Sequence, residues 1–182
     1  MLGEMGLALA GADRERRRAA PRPYVDALLH LAALSIVAGA IHAVVAGPHF
    51  GEYWVFGSFF VALAAVQLGW GAWVYARPSA LAFQAGIGIS AGVVALWIVS
   101  RTLGLPFGPE HWQAESAGAI DLAATASEAL IAVLCAAFLA TAAQAPAPHA
   151  LPSRLRILEP LAILTMGAAL LVLVLGGGHH AH

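Results

Sequence analysis

The residues that could carry chemistry are concentrated in two places, and the first is the stretch HAVVAGPHFGE, from His42 to Glu52. His42 lies near the end of one apolar segment, and His49 lies in the expected Gly-Pro turn. Glu52 begins the next apolar segment. Such a short turn keeps the three side chains close together. His111, beside an acidic residue in a later loop, can approach them. Because imidazole and carboxylate groups bind zinc, copper and iron, we expect a metal site here.

Two other interpretations of this first cluster stay open. Its spacing matches no fixed metal-binding motif. His49 and Glu52 can be solvated residues at the membrane interface while His42 forms a hydrogen bond to a neighbouring helix. The same group can also contact protons or a substrate.

The second place is one face of a later apolar segment. Asp121, Thr125, Glu128 and Cys135 are separated by four, three and seven residues, a spacing that places them on one helix face. Glu128 falls near the middle of the bilayer, where an ionisable group is costly and is by default a functional candidate. With Asp121 it would form an inner carboxylate station for the metal. The alternative is a protonated Glu128 that forms a hydrogen bond to Gln67, Gln84 or a serine on another helix and holds two helices together.

Arg101 ends an apolar segment on the side of the membrane where acidic residues predominate. We expect it to pair with one of four acids: Glu52, Glu110, Glu115 or Asp121. An anion-binding role is disfavoured by the number of nearby carboxylates.

Membrane-spanning helices must position these residues. Hydrophobic residues make up 60% of the chain and charged residues 10%, with a mean hydropathy of +0.80, whereas a soluble domain carries about 25% charged residues. A span needs about 20 mostly apolar residues. Five segments meet this requirement, at about 26–46, 52–76, 80–101, 118–143 and 157–176. The sequence therefore predicts an all-α integral membrane protein, a bundle of about five transmembrane helices.

The distribution of arginine predicts the orientation of this bundle. Five arginines lie in residues 1–23, and Arg77, Arg154 and Arg156 fall on the same side of a five-span protein. Cytoplasmic loops carry the excess of basic residues, so we expect the N-terminus inside and the C-terminus outside, in the plasma membrane. The expected division is a cytoplasmic Arg-rich arm at 1–23, a five-helix domain at 24–176 and a His-rich extracytoplasmic tail at 177–182.

These observations favour a membrane protein that binds a divalent or transition metal, zinc, copper or iron, at its outer face. The candidate ligands are His42, His49, Glu52, His111, Asp121 and Glu128. The alternatives are a small proton- or solute-coupled permease that uses Glu128, and an accessory subunit whose polar groups only hold helices together. Expected partners are the lipid bilayer, the metal ion and further copies or a larger membrane complex. No basic patch interleaved with aromatic residues favours nucleic acid.

Overall fold

The computed structural model describes residues 22–144, and this part of the chain forms four α-helices and no strand. The helices are α1 (Arg22–Glu52), α2 (Trp54–Ala76), α3 (Ala80–Thr102) and α4 (Ala119–Gln144). All four are long and apolar enough to cross a membrane. The expected arm, the fifth span at 157–176 and the His-rich tail lie outside the described residues, apart from the first residues of α1. The all-helical, membrane-type architecture is confirmed for the part of the chain that the structure describes.

The predicted bounds of the second, third and fourth spans agree with the helices to within two residues, but the first span is longer than expected. Helix α1 continues through Pro48 to Glu52, and the turn is Tyr53 alone, with φ −159° and ψ 125°. The Tyr53 amide still donates to the His49 carbonyl at 2.9 Å. Pro48 lacks the N–H that would bond the Val44 carbonyl, and Val44 is exposed. The proline therefore lies within the last turns of the helix without ending it.

Helix α1 is the centre of the bundle, because it packs along α2 on one side and against α4 on the other. Helix α3 packs against α4, and its contact with α2 is sparser. We call the end of the bundle with Tyr53 and the α3–α4 loop the loop end, and the opposite end the far end. The far end is filled by an apolar core that includes Leu31, Trp70, Phe83 and Phe138.

Close approach of α3 to this core depends on Trp70 and Gly86. The Trp70 indole N–H donates to the Ala82 carbonyl at 2.8 Å. A Cβ on Gly86 would lie 2.2 Å from the Trp70 ring and 2.8 Å from the Cys135 sulfur. Only glycine leaves room here, so this residue fixes how tightly α2, α3 and α4 meet at the far end.

Residues 103–118 form an irregular loop that lies over the loop end. Gly104 and Gly108 have φ values of 74° and 101°, which glycine adopts without strain. The Phe107 ring packs on Phe56 in the first turn of α2, with centroids 5.9 Å apart. The Glu115 amide donates to the Ser100 carbonyl at 3.1 Å, which fixes the other side of the loop to α3.

Candidate functional site

A cavity of about 190 Å³ lies between the four helices at the loop end. Its walls are mostly apolar, and five aromatic side chains belong to them: Phe56, Phe59, Phe60, Trp97 and Phe107. Residues from α1, α2, α3, α4 and the loop all line it. The far-end core closes the bundle on the opposite side, so the cavity belongs to one end of the protein.

Three buried polar side chains from three different helices meet beside this cavity. Glu128 of α4 is 0% exposed, Gln67 of α2 is 2% exposed and His42 of α1 is 4% exposed. The Gln67 amide nitrogen donates to Glu128 Oε1, and His42 Nε2 lies 3.5 Å from the same oxygen. We call these three residues the buried triad. The bond between Glu128 and Gln67, which belongs to the alternative interpretation of Glu128 as structural support, is present.

The buried triad has more hydrogen-bonding capacity than its own contacts use. Glu128 Oε2, Gln67 Oε1 and both ring nitrogens of His42 have no hydrogen-bond partner within the described residues. Buried polar atoms are almost always paired, because an unpaired one costs about 1–3 kcal/mol. A carboxyl and an imidazole with unused sites, held together out of water, are suited to gain, lose or share a proton.

His42 joins the buried triad to the cavity. Its side chain lines the cavity, and its ring stacks on Phe60 with centroids 5.6 Å apart and planes 24° apart. Glu128 lies behind it and is not among the residues that line the cavity. A molecule in the cavity would therefore be separated from Glu128 by the His42 imidazole.

Charged side chains of α3, α4 and the loop lie at another part of the cavity wall. Arg101 pairs with Glu115 and, at 2.9 Å, with Asp121. The Asp121 carboxylate also accepts the Gly118 amide at 3.0 Å, so it caps the start of α4. The Arg101 guanidinium lies 6.0 Å from the Trp97 ring centroid. The expected pairing of Arg101 is confirmed for two of its four candidate acids.

The structure unites some of the predicted ligands and separates others. His42, His49 and Asp121 line the cavity, and Glu128 contacts His42 behind it. His49 Nδ1 lies 2.7 Å from the Val45 carbonyl, and its ring is 4.4 Å from Phe60.

Glu52 and His111 are exposed, and neither lines the cavity. Among residues 22–144, no group of three or more His, Cys, Asp or Glu side chains is arranged to hold a metal ion. The predicted six-residue site is therefore distributed between a buried triad, a cavity wall and an exposed surface.

The aromatic lining is the part of the site that sequence reasoning missed. Phe56, Phe59 and Phe60 recur at helical spacing along one face of α2, and Trp97 precedes Arg101 by one turn of α3. That pattern was available in the sequence. It is equally typical of a packed core, and the spacing alone does not tell that these rings line a cavity between the helices.

Comparison of the chain with models of known families, with curated proteins and with solved structures finds no match. What the cavity does is therefore inferred from its own residues.

Proposed function

We propose that the protein is a small proton-coupled solute carrier in which the buried triad holds the coupling proton. The single observation that carries the proposal is the contact between Glu128 and His42. A fully buried carboxyl lies 3.5 Å from an imidazole that lines a cavity. Ionisable residues buried within membrane bundles commonly mark proton or substrate pathways.

The physical reason is the cost of an isolated charge away from water. An ionised Glu128 needs a positive partner or a proton, because burial of an unpaired carboxylate is very unfavourable. In this site the options are a protonated carboxyl, an ion pair with protonated His42, or a cation delivered through the cavity. A change in what occupies the cavity then changes which option is lowest in free energy. This is the requirement for exchange of a solute and a proton at one site.

The ionisable groups that line the cavity or share α4 with Glu128 are few. Helix α1 contributes His42 and His49, α3 contributes Arg101, α4 contributes Asp121 and Cys135, the loop contributes Glu115, and the residue that α2 contributes is the uncharged Gln67. Arg101 is already paired with two carboxylates. His42 is thus the ionisable group positioned to exchange a proton with Glu128.

The position of the cavity at one end of the bundle also supports a carrier function. The cavity lies at the loop end, and the apolar core at the far end fills the space between the helices there. A carrier needs such an occluded end, which opens when the other end closes. The contact between α2 and α3 is sparse overall, and opening the far end would have to break the contacts of Trp70 with Ala82 and Gly86.

Infrared spectroscopy across a pH titration tests the proton site, because a protonated carboxyl group absorbs separately from an ionised one. We expect the parent protein to show a carbonyl band of a buried carboxylic acid that disappears in Glu128→Gln. This variant keeps an oxygen for the Gln67 amide and removes only the ionisable group. Glu115→Gln, at a partly exposed side chain, is the control and should keep the band. An unchanged band in Glu128→Gln would exclude Glu128 as the proton carrier.

Metal binding remains the second candidate, and the arrangement of His42 and His49 favours it. Both imidazoles line the cavity from one face of α1. The Nδ1 of His49 lies 2.7 Å from the Val45 carbonyl. A backbone carbonyl that accepts from Nδ1–H often orients a metal-binding histidine so that Nε2 is the ligand. Zinc, copper or iron bound there would use these two nitrogens, since no third His, Cys, Asp or Glu side chain in residues 22–144 is arranged to join them.

Metal analysis after dialysis against a weak chelator decides between the two candidates. If metal binding is the function, His42→Phe should lose the metal. This replacement can keep the stacking on Phe60 without supplying a nitrogen. His30→Phe, on the same helix but outside the cavity lining, is the matched control. Equal metal content in the parent and in His42→Phe would remove this candidate.

A further inference from the structure

We propose that the cavity takes a small organic ammonium ion, with its apolar body against the aromatic walls and its positive charge near the acidic part of the lining. This proposal rests on the carrier function proposed above, because it names the solute for that site. Three properties of the cavity support it: its rings, its charge and its size.

The aromatic rings provide the first argument. Five aromatic side chains line the same cavity: Phe56, Phe59, Phe60, Trp97 and Phe107. Aromatic faces attract organic cations through the ring quadrupole, and tryptophan does so most strongly. Trp97 already has one cationic neighbour, the Arg101 guanidinium at 6.0 Å. A lining of aliphatic residues would bind an apolar solute equally well, but it would not discriminate in favour of a cation.

The charge of the lining provides the second argument. The charged residues that line the cavity are Arg101, Glu115 and Asp121, so the two carboxylates exceed the one guanidinium. An anion would have to compete with both carboxylates for Arg101. A cation gains from the excess of negative charge. Under the carrier function proposed above, the cation would exchange for the proton that the site holds.

The size of the cavity provides the third argument. An engineered cavity of about 150 Å³ in another protein holds one benzene molecule, and this cavity measures about 190 Å³. It therefore accommodates one ring or a short branched alkyl group together with an ammonium head. Phe107 of the loop packs on Phe56 at one side of the wall, so the loop limits how large the solute can be.

Binding of benzyltrimethylammonium to the purified full chain, measured by titration calorimetry, tests the proposal. The comparison compounds are benzyl alcohol, which carries the same ring without charge, and benzenesulfonate, which carries it with the opposite charge. We expect the cation to bind at least tenfold more tightly than either. Equal or tighter binding of the alcohol or the sulfonate, or no binding of the cation, would overturn the proposal.

Two tryptophan variants locate the site. Trp97→Leu removes a ring from the cavity wall and should weaken cation binding by about five- to thirtyfold, the range expected for a partly desolvated cation–π contact. Trp54→Leu, at an exposed position outside the lining, should leave the affinity unchanged. Equal affinities in both variants would contradict placement of the cation in this cavity.

The same titrations separate this proposal from the carrier function. Cation binding that depends on Trp97 but releases no proton would support the ammonium site and overturn proton coupling. Sulfonate binding accompanied by a Glu128-dependent change in protonation would support proton coupling and overturn the ammonium solute.

Discussion

At the scale of single residues, the account depends on Glu128 and on how its burial is tolerated. The carboxyl accepts a hydrogen bond from Gln67 and lies 3.5 Å from His42 Nε2. These contacts join α4 to α2 and to α1. The same side chain connects three helices and, as we propose, holds the coupling proton, and the two roles can be separated by the choice of replacement.

Glu128→Leu tests the structural role. It leaves the buried Gln67 amide without its acceptor, so we expect a loss of about 1–3 kcal/mol in the free energy of unfolding. The double variant Glu128→Leu with Gln67→Leu removes both partners and should recover most of that loss. Reversible unfolding in one detergent system measures both. A single variant as stable as the parent would show that the Gln67–Glu128 bond does not stabilise the bundle.

At the scale of helices and loops, the close packing of α3 lies at the far end. Gly86 has the Trp70 ring and the Cys135 sulfur directly against its Cα, whereas a Cβ on Gly88 would meet nothing within 4 Å. A Cβ on Gly92 would also meet nothing within 4 Å among residues 22–144. On α3, the glycine at a close helix contact is therefore Gly86, opposite Trp70.

Gly86→Ala and Gly88→Ala form a matched pair on α3. We expect Gly86→Ala to lower the free energy of unfolding by about 1–3 kcal/mol, as overpacked core sites do. Gly88→Ala should change it little, because the added methyl group enters open space. Thermal unfolding of the two variants side by side provides the measurement. Similar midpoints for both would contradict the described contact of α3 with Trp70.

The helices themselves were predictable from the sequence, because the length of an apolar run limits where a membrane-spanning helix begins and ends. The end of α1 was not predictable in this way. Pro48 resembles a helix stop, but the hydrogen bond that it removes is the one to Val44, an exposed residue. The stacking of Asp121, Thr125 and Glu128 on one face also followed from spacing. Which helices pack against that face did not follow from the spacing, since a helical pattern does not identify the partner of a helix face.

At the scale of the whole molecule, we propose that the loop end, which holds the cavity, is the functional end and faces outwards. The basis is the distribution of arginine, with Arg77 at the far end and most of the nearby acids at the loop end. Cytoplasmic segments carry the excess of basic residues. The cavity would then take its solute from outside the cell, where a proton gradient usually supplies protons.

Cysteine labelling in intact cells tests this orientation. In a Cys135→Ala background, we expect Gln113→Cys in the loop to react with a membrane-impermeant maleimide added outside. Ser153→Cys, beyond α4, should react only after the membrane is permeabilised. The Cys135→Ala parent without a new cysteine controls for background labelling. Reaction of both positions from the same side would contradict a membrane crossing by α4.

The most direct test of the central claim is a count of the protons released when the solute binds. Benzyltrimethylammonium is added to the purified protein in weakly buffered solution, at a pH where infrared spectra show Glu128 protonated, and the pH change is recorded. The account predicts that the parent releases close to one proton per bound cation. Glu128→Gln should bind the cation more weakly and release none. Equal proton release by the parent and by Glu128→Gln would contradict the claim that this carboxyl couples protons to solute binding.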